Sequence, residues 1–231
     1  NGPSAIVYKK GGLLNVSTSI QNRIESYGDK FEETWMELQD GNDTVWAFQL
    51  TKDLSDYERA EKMRLAGNAL AIKVNALGLD RIKIEGPYQA EICEGAILGN
   101  YQFLKFFSDA HKRRNSFVKI FVEDENSEDI KSIQHATLGT LFARDLVNRP
   151  VIDLTASKLA EEAKEAGKRH GFSVEVLEKK QIESLKMGGL LGVNYGSVEP
   201  PTFTIMEYKG AGATNSQPIV LVGKGVVYDT G

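Results

Sequence analysis

Two periodicities of hydrophobic and polar residues along the chain predict a protein of mixed α/β structure. Apolar residues recur at three- and four-residue spacing over 55–77, which predicts a helix with a capping box at Ser55 and Glu58 and an end at Gly78. Further helices are predicted over 89–107, 127–147, 155–170 and 179–187, and strands over 5–9, 45–50, 81–85, 117–122, 172–177 and 202–208.

The most apolar run, residues 218–222, is predicted to be the central strand of the second half of the chain. An unbroken, mostly β-branched run is typical of a strand that is buried on both faces within a parallel sheet. The run stops at Lys224, which lies between two glycines and five residues before Asp229. Ligands and catalytic groups of open α/β sheets collect at such carboxyl ends. The alternative is a solvated turn, and composition alone favours it.

A domain boundary is predicted at the end of the helix over 127–147. Pro150 bars a further helical turn after Asn148 and Arg149, so residues 1–147 form one α/β domain that ends in a linker helix. Residues 148–231 alternate helix and strand, with few strands. They are therefore expected to be the opening part of a larger α/β domain.

Composition and charge describe an ordinary globular protein of 231 residues, with 41% hydrophobic and 26% charged residues. The net charge of −4 does not imply nucleic acid as a partner. The single cysteine, Cys93, excludes an internal disulfide and suits a reducing compartment such as the cytoplasm, and no apolar run approaches the ~20 residues of a membrane span. A basic cluster at 111–114 and an acidic one at 123–125 flank the strand over 117–122; solvated loops are favoured over phosphate contacts there.

Three ordered blocks resemble the leucyl aminopeptidase (cytosol aminopeptidase) family. The block 222–231, Val-Gly-Lys-Gly-Val-Val-Tyr-Asp-Thr-Gly, resembles the metal-binding signature of the family, which usually has Phe in place of Tyr228. The block 144–150 resembles its interdomain segment, and 187–201 resembles its glycine-rich loop. The first 130 residues match only loosely, chiefly at 94–103.

The resemblance implies a fold and an activity. It implies a macro-domain-like N-terminal α/β domain, followed by the start of an α/β/α peptidase domain with a mixed sheet. It also implies a metal-dependent aminopeptidase that releases N-terminal residues such as leucine from peptides with a free N-terminus, working as a homo-hexamer in the cytoplasm.

The same resemblance places two metal ligands, Lys224 and Asp229, with Asp229 bridging two divalent ions. Zinc or manganese is expected, with magnesium or cobalt as further possibilities. A carboxylate is a natural ligand for such cations, whereas a lysine must first lose its proton. The other ligands and the catalytic groups of the family follow this block. No catalytic residue is therefore assigned within 1–231, and this segment alone is predicted to be inactive.

After Pro150 the family usually has Asn and then Thr-Pro, whereas this chain has Asp153 and then Thr155-Ala156, which alters a helix start and no ligand. The alternative function, from another class, is a non-catalytic assembly or nucleic-acid-binding role of the N-terminal domain. A strongly basic surface on residues 1–145 would favour that alternative.

Overall fold

The computed structural model describes residues 3–8, 16–28, 34–40, 43–50 and 54–226, and the chain divides into two compact units, Asn1–Arg144 and Asp145–Gly231. The elements up to the linker helix are β1 (Ser4–Tyr8), α1 (Thr18–Tyr27), β2 (Trp35–Asp40), β3 (Asp43–Gln49), α2 (Asp56–Ala76), β4 (Arg81–Glu85), α3 (Gln89–Gly99), α4 (Ala110–Arg113), β5 (Lys119–Phe121) and α5 (Glu128–Val147). They are followed by α6 (Ala156–His170), β6 (Ser173–Leu177), α7 (Lys179–Ser184), α8 (Gly188–Asn194) and β7 (Phe203–Glu207).

A five-stranded sheet organises the first unit, in the order β2-β3-β1-β4-β5. The strands β3, β1, β4 and β5 are parallel, and β2 pairs antiparallel with β3 at one edge. The larger core includes Trp46, Leu70 and Ile92, while Ile20 and Ile24 of α1 belong to a second, smaller core cluster. The predicted α/β class is confirmed; this mixed sheet lies in the first unit, whereas the resemblance implied a mixed sheet in the peptidase domain.

Helices α2 and α3 pack with their backbones in close contact. A Cβ atom on Gly95 would collide with the carbonyl oxygen of Arg64, and one on Gly67 would collide with the carbonyl oxygen of Ile92. A glycine in the middle of a helix costs about 1 kcal/mol relative to alanine, so its presence there calls for a packing reason. The close approach of α2 supplies the reason at Gly95.

Helix α3 ends at Gly99, so the predicted helix over 89–107 is wrong beyond that residue. The chain turns there because side-chain amides bind it to distant segments. The amide of Asn100 donates to the carbonyl oxygen of Phe117 at 2.8 Å, and it accepts at Oδ1 from the side chains of Asn75 and Asn115, each at 2.8 Å. Three asparagines far apart in sequence therefore fix the end of the helix.

The second unit is built around α6 and a two-stranded antiparallel ribbon in which β6 pairs with β7. Its described core is small and consists chiefly of Leu154, Ala160, Ala166, Leu177 and Ile182. Gly167 of α6 lies against Val174 and the carbonyl oxygen of Phe172, which brings the helix close to β6. Among the helices of the described residues, none is long and apolar enough to cross a membrane.

Cys93 lies on α3 and is buried against α2. Burial, with a smaller contribution from the nearby carboxylate of Glu91, raises the pKa of its thiol to about 12. Because the thiolate is the reactive form, a rise from 9.0 to about 12 lowers the reactive fraction at pH 8 about 1,000-fold. We expect Ellman's reagent to label Cys93 promptly in 6 M guanidinium and only on the timescale of unfolding in buffer. Prompt labelling of the native protein would contradict the buried position.

Candidate metal centre

The start of α6 is held by one arginine. Arg149 follows α5, its side chain is only 10% exposed, and its Nη1 donates to Oε1 of Glu162 at 2.6 Å. It also forms an ion pair with the carboxylate of Asp153 and donates from Nη2 to the carbonyl oxygen of that residue at 3.2 Å. The hydrogen bonds from Glu162 and then Asp153 raise the pKa of Arg149. Asp153, which stands where the resembled family usually has Asn, thus forms an ion pair with Arg149 of the 144–150 block.

Two threonine side chains bind backbone groups in the first turn of α6. The side chain of Thr155 caps the helix by accepting from the backbone N–H of Lys158 at 3.4 Å. Thr202, one residue before β7, donates from Oγ1 to the carbonyl oxygen of Ala156 at 3.2 Å. The helix closes at Gly171, whose φ of +75° lies in the left-handed region. The predicted Thr155 cap and the Gly171 end are confirmed.

The glycine-rich block 187–201 begins as a helix. Residues Gly188–Asn194 form α8, and none of them is buried. Lys186, just before it, adopts a φ of +54°, and Asn194 donates from Nδ2 to the carbonyl oxygen of Glu199 at 2.9 Å. The predicted helix over 179–187 ends earlier, at Ser184.

The predicted central strand over 218–222 is wrong for this chain. The stretch has no regular structure, and Ile219, Val220, Leu221 and Val222 are 72–93% exposed. A strand buried on both faces needs neighbouring strands and covering helices. In the described part of the second unit only β6 and β7 form a sheet, and they pair with each other. The apolar run therefore has no partner strand there.

Lys224 lies in the same irregular stretch and is exposed. Gly225, next to it, passes α6, because a Cβ atom there would lie 3.5 Å from Cδ2 of Leu159. Asp229 lies outside the described residues, so the structure does not place the two expected ligands relative to each other. Within the described ranges, no group of three or more His, Cys, Asp or Glu side chains could hold a metal ion. The two-ligand assignment stays a prediction.

The first unit contains a cavity of about 480 Å³ that the sequence analysis missed. It lies where β4 and β5 end and α3 begins, and four carboxylates line it, those of Glu91, Glu123, Asp124 and Asp129. Glu123 is held in place, because it accepts from the backbone N–H of Gly86 at 3.1 Å and binds the side chain of Gln89. The sequence signal for this cavity is the acidic cluster at 123–125, directly after the predicted strand over 117–122.

Comparison with known proteins gives a family match over the region that contains the three blocks 144–150, 187–201 and 222–231. A family model described as the catalytic domain of the cytosol aminopeptidase family matches residues 141–231. A probable cytosol aminopeptidase of Chlorobium phaeobacteroides is 35% identical in an alignment that covers 77% of this chain and 41% of the relative. The resemblance read from the three blocks is thus confirmed.

Solved structures share the fold. A tomato leucine aminopeptidase mutant matches with a TM-score of 0.68 and 20% identity, over 87% of this chain and 46% of its own. The bottromycin maturation enzyme BotP, solved in complex with Mn, matches with a TM-score of 0.70 and 20% identity, over 90% of this chain and 45% of its own. The chain spans less than half the length of each of these proteins.

Proposed function

Because this chain belongs to the cytosol aminopeptidase family, we propose that it is part of a metal-dependent aminopeptidase that releases N-terminal residues such as leucine from peptides. The observation that carries the proposal is the family match over 141–231, which includes Lys224 and Asp229. The alternative, a non-catalytic role of the N-terminal domain, is not favoured, since the matched family and relative are described as aminopeptidases.

We assign Lys224 and Asp229 to the metal centre of the complete enzyme. The carboxylate of Asp229 suits a position between two divalent cations, and Lys224 can donate its amine lone pair only when it is neutral. Zinc or manganese is proposed, and the manganese complex of BotP supports a divalent ion of this kind. Bound metal would supply an activated water and polarise the carbonyl of the scissile peptide bond. To bind such a metal, the side-chain ammonium of Lys224 would first have to lose its proton.

The exposed run 219–222 fits the same proposal. In a complete catalytic domain, further strands and helices would bury it, and Lys224 would then lie at the mouth of a buried strand, where burial and neighbouring dications disfavour the protonated amine. The domain assignment, 1–147 and then the first part of the catalytic domain over 148–231, belongs to this proposal, as do cytoplasmic location and peptide substrates.

The 231-residue chain alone is expected to have no aminopeptidase activity and only weak affinity for divalent metal. Two ligands cannot satisfy a zinc site, which typically takes about four. The measurement is hydrolysis of leucine p-nitroanilide with added Zn²⁺ or Mn²⁺, compared with the longer protein that carries this chain. Turnover by the 231-residue chain would contradict the prediction, whereas inactivity of the metal-loaded longer protein would overturn the proposed function.

We further expect the longer protein to be a hexamer, assembled largely through its catalytic domains. Light scattering at micromolar concentration should give six times the mass of one chain. A monomeric mass under those conditions would remove the hexamer from the proposal and would leave the activity to be judged by the previous assay.

A further inference from the structure

Residues 101–114 of the first unit form a surface that we call the aromatic-basic projection. It carries four lysines and arginines against one aspartate. Phe106 and Phe107 are 53% and 47% exposed, which is unusual for two adjacent phenylalanines on a folded surface. Cations lie over both rings, with Nζ of Lys105 5.5 Å from the ring centroid of Phe106 and Cζ of Arg113 4.5 Å from that of Phe107. Apolar surface rimmed by charge is typical of an interaction site.

Side-chain hydrogen bonds tie the two ends of the projection together, so a partner has less of it to order. Gln102 bridges its two ends, donating from Nε2 to the carbonyl oxygen of Arg113 at 2.9 Å and accepting from the backbone N–H of Asn115 at 2.7 Å. Asn115 is in turn bound to Asn100 at the end of α3. A preorganised surface loses less conformational entropy on binding than a mobile one.

The same unit carries the complementary surface, the acidic cavity described above. Four carboxylates line it together with Tyr88 and Ile130, and no basic side chain occurs among its described lining residues. Exposed aromatic rings with attached cations match such a cavity in both polarity and charge.

The projection of one copy cannot enter the acidic cavity of the same copy. The acidic cavity lies at the first turn of α3, and the projection follows the last turn of that helix, about 16 Å away along an 11-residue helix. The asparagine network and Gln102 tie the projection to that far end. Complementary surfaces at opposite ends of one unit lead to head-to-tail association of copies, which closes into a ring or continues as a chain.

We propose that the aromatic-basic projection of one copy docks into the acidic cavity of a second copy. The contact goes beyond the proposed peptidase activity and uses only the first unit, so neither its presence nor its absence bears on the metal centre. Nucleic acid is the competing occupant of a basic aromatic surface. The net charge of −4 and the acidic cavity on the same unit disfavour it.

The test is sedimentation velocity of the 231-residue chain at 50 and 500 mM NaCl, with two charge-reversal variants. Lys112→Glu/Arg114→Glu reverses the net charge of the projection without touching the ring contacts, and Glu91→Lys/Asp129→Lys neutralises the net charge of the cavity lining while leaving Glu123 in place. We expect wild-type self-association that weakens at least about tenfold in high salt. Each variant alone should remain monomeric, and an equimolar mixture of the two should associate again, which also shows that both are folded.

A matched control and two further measurements separate the alternatives. Lys164→Glu/Lys180→Glu makes the same change in net charge as Lys112→Glu/Arg114→Glu, but on the second unit, and should associate like wild type, whereas Phe106→Ser/Phe107→Ser should not associate. Salt-insensitive association that all variants share would reflect the exposed apolar run 219–222 and would overturn the proposal. So would a mixture that stays monomeric.

Binding of a labelled single-stranded oligonucleotide that is lost in Lys112→Glu/Arg114→Glu, without self-association of wild type, would assign the projection to nucleic acid instead.

Discussion

Replacement of Gly95 by alanine is expected to lower the free energy of unfolding of the first unit by about 2–3 kcal/mol. The added methyl group would collide with the backbone carbonyl of Arg64 on α2, and a backbone atom cannot move aside as a flexible side chain can. The higher helix propensity of alanine returns only about 1 kcal/mol of that loss. Gly67, on the facing helix, meets the carbonyl of Ile92 in the same way. Its alanine variant should be similarly destabilised.

Gly139 provides the matched control for this prediction. It lies on the exposed side of α5, and a Cβ atom there would meet nothing within 4 Å. Gly139→Ala should therefore raise stability by up to about 1 kcal/mol. Chemical denaturation monitored by circular dichroism measures all three variants. If Gly95→Ala were as stable as Gly139→Ala, the two helices would not be in backbone contact.

Elements whose bounds depend on residues close together in sequence are predicted correctly. Ser55 and Glu58 form the predicted capping box, with the Ser55 backbone N–H donating to Oε2 of Glu58 at 3.0 Å and the Glu58 N–H donating to Oγ of Ser55 at 3.3 Å. The strand β4 has its predicted bounds, Arg81–Glu85. In each case the residues that decide the structure are neighbours in sequence.

Elements that depend on distant partners were missed or misplaced. In β2 the buried residues are Trp35 and Leu38, a spacing of three that breaks the alternation expected of a strand. Helix α1 buries only Ile20 and Ile24, too few for a clear apolar stripe. The end of α3 depends on Asn75 and Asn115, which a local pattern does not include.

The two candidate sites also differ in whether their residues are neighbours in sequence. The sequence marks Lys224 and Asp229 through a block of ten residues, and this block lies within the matched family region. It does not mark the cavity at the carboxyl ends of β4 and β5, because the four lining carboxylates come from three separate segments. The apolar residues of 218–222 predict a strand, but whether such a run forms one depends on neighbouring strands and helices from other chain segments.

Lys224→Arg in the longer, metal-loaded protein is expected to abolish activity at least as completely as Lys224→Ala. A lysine that binds metal must do so as a neutral amine, and arginine keeps its charge at any accessible pH. The variant would place a fixed cation beside the dications, whereas alanine leaves a gap that water can fill. The loss should exceed the 10- to 100-fold that removal of outer-shell support typically costs.

Asp229→Asn should also be severe, because an amide oxygen lacks the negative charge needed to bridge two dications. Lys209→Arg is the control, since Lys209 lies on an exposed stretch of the same unit and pairs only with Glu207 among the contacts described for it. Its activity and metal content should equal those of wild type.

The most direct test of the metal-centre assignment is the metal content per chain of purified Lys224→Arg, measured by atomic emission together with its turnover of leucine p-nitroanilide. The assignment predicts that both fall together, with less metal per chain than in wild type and no measurable turnover. Wild-type metal content with wild-type turnover would show that Lys224 lies in a solvated turn and is not a ligand.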